Sequence, residues 1–364
     1  MAPAHPEDSL DHDSRYVLPA IPVRQPLMLH PDYGDTAPAV HDWIRPYLLD
    51  CFEERPEDAP RTDGYLKQAH TYWGAACFPH TLPERFFAQQ AWMIWATLVD
   101  DAFSAPDVRD DTAARIRLAG ALCTAIDGAP GSGSAVERLV RAGQELLVPR
   151  TFVSVRMDTR AKQVVAQQAL RPATASDDAG GARADFDSYL DARGVDVFGH
   201  WLMELVQWSL GIDLGDATDE DDDLRTACRR VMDHWILVND LYSFPKEREA
   251  GETRNGVRVL MATEDLTLQQ ALDRLAARAT EAEDAFAAAR DAVLQGPLGE
   301  RPDIRVFVRE LGHMISGNLR YHRWTSRYFG TARDLPDEAP GTTRSEGTSL
   351  YERGTVHRPP GDDW

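Results

Sequence analysis

Apolar residues recur at helical spacing along most of the chain, and nowhere do they alternate long enough to make a convincing strand. Leu268, Leu272, Leu275, Ala279, Ala282, Phe286, Ala289 and Val293 step by four and three residues, which lines one face of a helix about seven turns long. Thr267 and Gln270 supply a capping box for its start. Leu224, Cys228, Val231, Trp235 and Val238 keep the same step over a helix predicted for 224–247, with Pro245 near its end. Further helices are expected over 42–52, 63–76, 83–101, 112–126, 135–147, 151–170, 186–210 and 304–328. About ten helices with short links predict an all-α fold in a single domain. The stretches 130–134 and 173–184, rich in Gly, Ala, Ser and Asp, read as solvated connections inside that domain.

Charge narrows the partners. Among 364 residues, 39 Lys and Arg stand against 59 Asp and Glu, a net charge of −20 that repels nucleic acid and anionic membranes. An anionic substrate would need a strongly positive local feature, and a divalent metal is the natural source. Cys51, Cys77, Cys123 and Cys228 show no CxxC pair and no histidine at ligand spacing, so they read as buried thiols in a reducing compartment. Glu7, Asp8, Asp11 and Asp13 argue against a signal peptide, and no stretch approaches the roughly 20 apolar residues of a membrane span. A soluble, cytoplasmic protein is expected, with residues 1–15 disordered. Residues 331–364, with Pro336, Pro340, Pro359 and Pro360, are expected to form a flexible tail that buries apolar surface only by folding over a site as a cap.

Two constellations carry chemistry. Asp100 and Asp101 directly follow an apolar helical segment, where adjacent carboxylates are costly unless a cation neutralises them. Taken alone, such a pair is more often a solvated helix end. The second is Asn239-Asp240-Leu241-Tyr242-Ser243-Phe244-Pro245-Lys246-Glu247. At about 100° per residue, Asn239, Ser243 and Glu247 form one stripe of amide, hydroxyl and carboxylate oxygens, which suits Mg²⁺. Trp235 and Val238 place the neighbouring surface in the core, against a merely solvated stripe.

The segment from Asn239 to Glu247 matches the metal motif (N/D)D(L/I/V)x(S/T)xxxE at every position, and the chain thereby resembles the bacterial class I terpene synthases, or terpene cyclases. Asp100-Asp101 stands where that family carries its aspartate-rich motif, Arg193 where it carries a diphosphate-sensing arginine, and Arg327-Tyr328 matches its C-terminal pair, preceded by Gly317-Asn318. Leu18-Pro19 and His30-Pro31 extend the likeness, which covers residues 16–330. The resemblance implies a helical bundle around a central cavity and a sesquiterpene cyclase-like activity: ionisation of a prenyl diphosphate, farnesyl diphosphate first and geranylgeranyl diphosphate as the alternative. It implies three Mg²⁺ ions held by Asp100, Asp101, Asn239, Ser243 and Glu247. It further implies diphosphate contacts from Arg193, Lys246, Arg327 and Tyr328, and a linker and effector at Asp196 and Val197. It leaves room for a homodimer.

Two features depart from the family pattern. Ser104 and Ala105 stand where a third acid is usual, and Val197 stands at an effector position that is often Gly. Ala96 and Thr97 replace aromatic residues before the first motif Asp, which predicts a roomier cavity. Phe103, Phe198, Trp201, Trp235 and Trp324 are candidate ring faces for a carbocation, each with a plain core reading beside it. His200 and His234 read as core or rim residues, and Asp219-Glu220-Asp221-Asp222-Asp223 as a helix start. Rival functions are a chain-elongating prenyltransferase, which would need a second aspartate-rich motif, and a catalytically silent isoprenoid-binding protein.

Overall fold

The computed structural model describes residues 16–22, 24–129, 131–170, 185–249, 254–329 and 356–357. The expected N-terminal segment 1–15 and, apart from 356–357, the expected cap 331–364 lie outside the described residues. In chain order the helices are α1 (Tyr33–Phe52), α2 (Pro60–Leu66), α3 (His70–Cys77), α4 (Pro83–Ser104), α5 (Pro106–Arg109), α6 (Thr112–Ile126), α7 (Ala135–Glu145) and α8 (Phe152–Ala169). They continue with α9 (Phe186–Asp196), α10 (Gly199–Leu210), α11 (Ala217–Glu220), α12 (Asp222–Glu249), α13 (Gly256–Glu264), α14 (Leu268–Gln295), α15 (Pro302–His322) and α16 (Ser326–Phe329). β structure among the described residues amounts to a two-residue parallel ladder, Tyr16–Val17 with Val356–His357, and one isolated bridge. The fold is all-α, as expected.

The described residues form sixteen helices rather than about ten, and the reason is local. Three expected helices are each broken in two. The segment 63–76 breaks at Ala69, with φ 57°, and 186–210 breaks at Phe198, with φ 61°. A non-glycine residue in left-handed backbone costs roughly 1–2 kcal/mol, and no periodicity of apolar positions announces it. The third break separates α15 from α16 at 323–325. Helix α1 starts at Tyr33 rather than near residue 42 and carries Pro38 and Pro46 inside it, because its buried face of Tyr33, Ala37, Val40, Ile44 and Leu48 runs through both prolines. Helix α13 was not anticipated; Asn255 caps it by accepting the Val257 N–H at 2.8 Å.

Long helix α12 is the spine, packed along α14 on one side and α15 on the other. The periodic face expected for α14 is buried over Leu272, Leu275, Ala279, Ala282, Phe286, Ala289 and Val293, and its capping box is formed. Asp221 accepts the Leu224 N–H at 2.8 Å, so Asp221, Asp222 and Asp223 of the acidic run open α12, whereas Asp219 and Glu220 lie in α11. All four cysteines are free thiols; Cys77 is buried, whereas Cys51, Cys123 and Cys228 are half-buried rather than fully buried as expected. No helix among the described residues is long and apolar enough to cross a membrane.

Helix α3 is buried at every residue and is pressed against α15. A Cβ placed on Gly317 would lie 2.5 Å from the carbonyl carbon and oxygen of Ala76 and 2.6 Å from the Cys77 nitrogen, so backbone meets backbone there. Only glycine permits that approach. Gly317→Ala should therefore destabilise the protein by about 2 kcal/mol through overpacking, read as a lower denaturant midpoint. An unchanged midpoint would show that α3 and α15 can separate at no cost.

Candidate active site

Two helical stripes build the site. On α12, Trp235, Asn239, Ser243 and Glu247 follow one another every four residues, and on α4 Met93, Ala96, Thr97 and Asp100 keep the three-and-four step. All eight line one cavity of about 700 Å³, mouth included, together with Trp73, Arg193, Asp196, Val197, Phe198, Trp201, Leu202, Lys246, Arg327 and Tyr328. Each stripe is apolar at its N-terminal end and carries oxygen ligands towards its C-terminal end. Lys246 on α12 lies 3.5 Å from Asp101 on α4, which shows that the two polar ends meet. The negative ends of both helix dipoles thus face the same place, an arrangement that favours cations.

Arg327 closes one side of this mouth. Its guanidinium donates to both oxygens of Asp101 at 2.9 and 2.7 Å and lies 4.0 Å from Asp100. Burial works against ionisation of Asp101, yet Arg327, with Lys246 behind it, holds the carboxyl well below the usual carboxylate range. The break after α2 is what seats Arg327. The carbonyl of Gln68, freed there, accepts from Thr325 Oγ1 at 2.8 Å, and the Gln68 side chain accepts from Arg327 at 3.2 Å.

Arg193 organises the other side. It donates to Asp240 Oδ1, Asp196 Oδ2 and Asn239 Oδ1, each at 3.2 Å, and lies 3.6 Å from Glu247. Tyr189 and the Gly256 N–H also donate to Asp240, and burial raises the Asp240 carboxyl to about 6, with Arg193 pulling it down and Glu247 pushing it up. Asn255 ties the far end of the stripe by donating to Glu247 Oε2 at 2.9 Å and to the Asp240 carbonyl at 2.8 Å. Asn318 holds the aromatic floor: it accepts from Trp73 Nε1 at 3.0 Å and donates to the Trp235 carbonyl at 3.4 Å. Trp73 stacks between Trp235 and Tyr321 at 5.1 and 4.8 Å.

Whether these residues fit a divalent ion can be judged from the walls themselves. Arg193, Lys246 and Arg327 stand against Asp100, Asp196 and Glu247, so the lining is balanced and a diphosphate would need added cations. Ser243 lines the cavity, and its buried Oγ has no hydrogen-bond partner among the described residues. An amide oxygen, an unengaged hydroxyl and a carboxylate in one stripe are suitable ligands for Mg²⁺. Asn239, Ser243, Glu247 and Asp100 are therefore the residues that could hold it.

The structure brings Asp100, Arg193, Asp196, Val197, Phe198, Asn239, Ser243, Lys246, Glu247, Arg327 and Tyr328 together around the cavity. Asp101 sits beside them, but both its oxygens accept from Arg327, which competes with a metal for them. Phe103 and Trp324 do not line the cavity, contrary to expectation. Phe103 is buried in the core one turn beyond Asp100, and Trp324 packs edge-on against Tyr72 at 4.9 Å, where the chain turns after α15. Left-handed backbone falls at Phe198, not at Val197. Ser104 ends α4, and the following acid, Asp107, is exposed on α5, so no third carboxylate joins the pair. His200 is exposed and does not line this cavity, and burial pushes His234 down to about 3 in the core. Sequence reasoning missed Trp73 and Met93 as walls and Asn255 as a tether. Trp73 had a signal, an aromatic inside a short apolar run; Asn255 had none.

The family model described as terpene synthase family 2, C-terminal metal binding, matches residues 91–285. A bifunctional terpene synthase of Cyclocybe aegerita is 34% identical over 154 residues, which cover 42% of this chain and 44% of that protein. A sesquiterpene synthase of the same fungus is 30% identical over 151 residues, 40% of this chain and 41% of that one. The chain thus spans under half the length of these curated relatives. A solved linalool/nerolidol synthase from Streptomyces clavuligerus, in complex with 2-fluorogeranyl diphosphate, superposes with a TM-score of 0.65 at 19% identity over 84% of this chain and 98% of that one, a likeness of fold.

The Asp101–Arg327 pair makes a prediction of its own. A depressed carboxyl stabilises the fold above its unfolded pKa of about 3.9 and loses that contribution as pH falls. Asp101→Asn should cost about 3 kcal/mol at neutral pH by stranding a buried guanidinium, and the gap to wild type should shrink below pH ~4. Denaturant midpoints across that range measure it; a gap independent of pH would mean that the ionised Asp101 carboxylate is not its source, and no gap would mean that the pair adds nothing to stability.

Proposed function

We propose, given that the chain belongs to terpene synthase family 2, that it ionises an acyclic prenyl diphosphate and closes the allylic cation to a cyclic terpene. Residues 16–330 are the working unit. The observation that carries this reading is the convergence of the Asp100 end of α4 and the Asn239, Ser243 and Glu247 stripe of α12 on one cavity mouth ringed by Arg193, Lys246 and Arg327.

Asp100 on one side and Asn239, Ser243 and Glu247 on the other would hold Mg²⁺, three ions on the family pattern. Bound there, Mg²⁺ would supply positive charge that a departing diphosphate needs. Arg193, Lys246 and Arg327 orient the diphosphate by charge, and Tyr328, its phenol pushed up to about 12 chiefly by burial, keeps its proton for hydrogen bonding. The allylic carbon–oxygen bond breaks, and its electron pair leaves with the diphosphate. Asp196 and Val197 connect Arg193 to the α9–α10 break, so a shift of Arg193 towards the diphosphate is felt at the cavity wall. Below the mouth, Trp73, Met93, Phe198, Trp201, Leu202 and Trp235 exclude water and turn apolar surface and ring faces to the cation. A double bond of the same chain then captures the cation, and the sequence ends in loss of a proton or uptake of water.

Farnesyl diphosphate is the substrate we favour, supported by the likeness to a sesquiterpene synthase. Ala96 and Thr97, small residues on the cavity wall, support geranylgeranyl diphosphate as the second candidate. A silent binding protein is disfavoured by Ser243, whose buried hydroxyl makes no hydrogen bond among the described residues and so is spare for a metal.

Incubation with each diphosphate and Mg²⁺, followed by mass spectrometry of the organic extract, tests the reading. A cyclic product is expected; a longer prenyl chain or no product overturns it. Asn239→Ala should lower turnover at least about 100-fold with an unchanged circular dichroism spectrum; full activity would remove Asn239 from the metal set. Ser104→Asp, restoring a third carboxylate one turn beyond Asp100, should raise metal affinity severalfold; no gain would show that this enzyme closes without it.

A further inference from the structure

His322 is fully buried and lies on none of the motifs that identify the site. Its Nδ1 is 2.8 Å from the Asn318 backbone carbonyl, an oxygen that can only accept. The ring proton is therefore on Nδ1, and Nε2 presents a lone pair. That lone pair is 3.2 Å from Asn239 Nδ2. Tyr328 OH takes a second hydrogen bond from the same amide nitrogen, also at 3.2 Å. On the opposite side of the amide, Arg193 can only donate, and it does so to Asn239 Oδ1 at 3.2 Å. The ring itself is clamped, face to face with Tyr328 at 5.1 Å and edge-on to Trp73 at 5.7 Å.

We infer that His322 is a positioning residue that sets the amide orientation of Asn239, so that Oδ1 and not the NH₂ group faces the metal position. An Asn side chain presents a ligand oxygen in only one of its two flipped states, and an NH₂ group turned to the cation repels it. Arg193 enforces the correct state only while it points at Asn239. Once Arg193 turns to a diphosphate, the Asn318 carbonyl and His322 still hold the amide, because the imidazole acceptor cannot move within its aromatic clamp. The oxygen is thus preorganised before the ligand arrives.

This inference rests on Asn239 being a metal ligand, and the experiment separates the two claims. Binding of Mg²⁺ with inorganic diphosphate is measured by calorimetry on the full chain, a readout that needs no turnover. His322→Gln places an oxygen near the Nε2 position and keeps that acceptor for Asn239; His322→Asn reaches only the Nδ1 position, removes it, and leaves the amide only the rotatable Tyr328 hydroxyl. H322Q should bind within about threefold of wild type, and H322N about 10-fold or more weaker. In an Asn239→Asp background the H322N loss should fall to within about twofold, because a carboxylate offers an oxygen in either flip. Equal binding by H322N and H322Q overturns the positioning role and leaves the metal assignment intact. Wild type that fails to bind Mg²⁺ with diphosphate overturns both.

Discussion

Carboxylates gathered at the mouth of an apolar cavity must be neutralised, and that requirement shapes this molecule. Asp100, Asp101, Asp196, Asp240 and Glu247 are brought close to the core, and Arg193 and Arg327 are the principal countercharges. Each arginine is a planar fork that spans several oxygens at once, which a lysine cannot do. The same forks are the groups a diphosphate would draw towards itself. On the proposed function, stability of the mouth and recognition of a diphosphate would use one set of contacts.

Breaks between helices matter as much as the helices. The turn at 67–69 frees the Gln68 carbonyl that Thr325 grips, which carries Arg327 to Asp101. The left-handed residue Phe198 lets α9 end with Asp196 under Arg193 while α10 sets out towards the aromatic wall. A straight helix through either point would carry the following side chains away from the cavity. The local backbone cost is small beside the ion pairs that the bends make available.

The polar and apolar halves of the cavity share supports. Asn318 lends its side chain to Trp73 and Trp235 and its carbonyl to His322, which in turn meets Asn239. The ring faces and the oxygen stripe are thereby referred to one turn of α15, itself seated by the Gly317 contact with α3. Geometry at the floor and geometry at the mouth cannot drift independently.

Several features were legible in the residues alone because they depend on short spacing. The helical class follows from three-and-four periodicity, and the oxygen stripe follows from the four-residue step of Asn239, Ser243 and Glu247 on one helix. Arg193 and Arg327 were picked out only through the family resemblance. Tertiary structure decided that Asp101 belongs first to Arg327, that Phe103 and Trp324 miss the cavity while Trp73 and Met93 line it, and that Asn255 and His322 hydrogen-bond Glu247 and Asn239. Those outcomes depend on where helices break and which faces meet, and a non-glycine residue bent into left-handed backbone leaves no mark in the pattern of apolar positions.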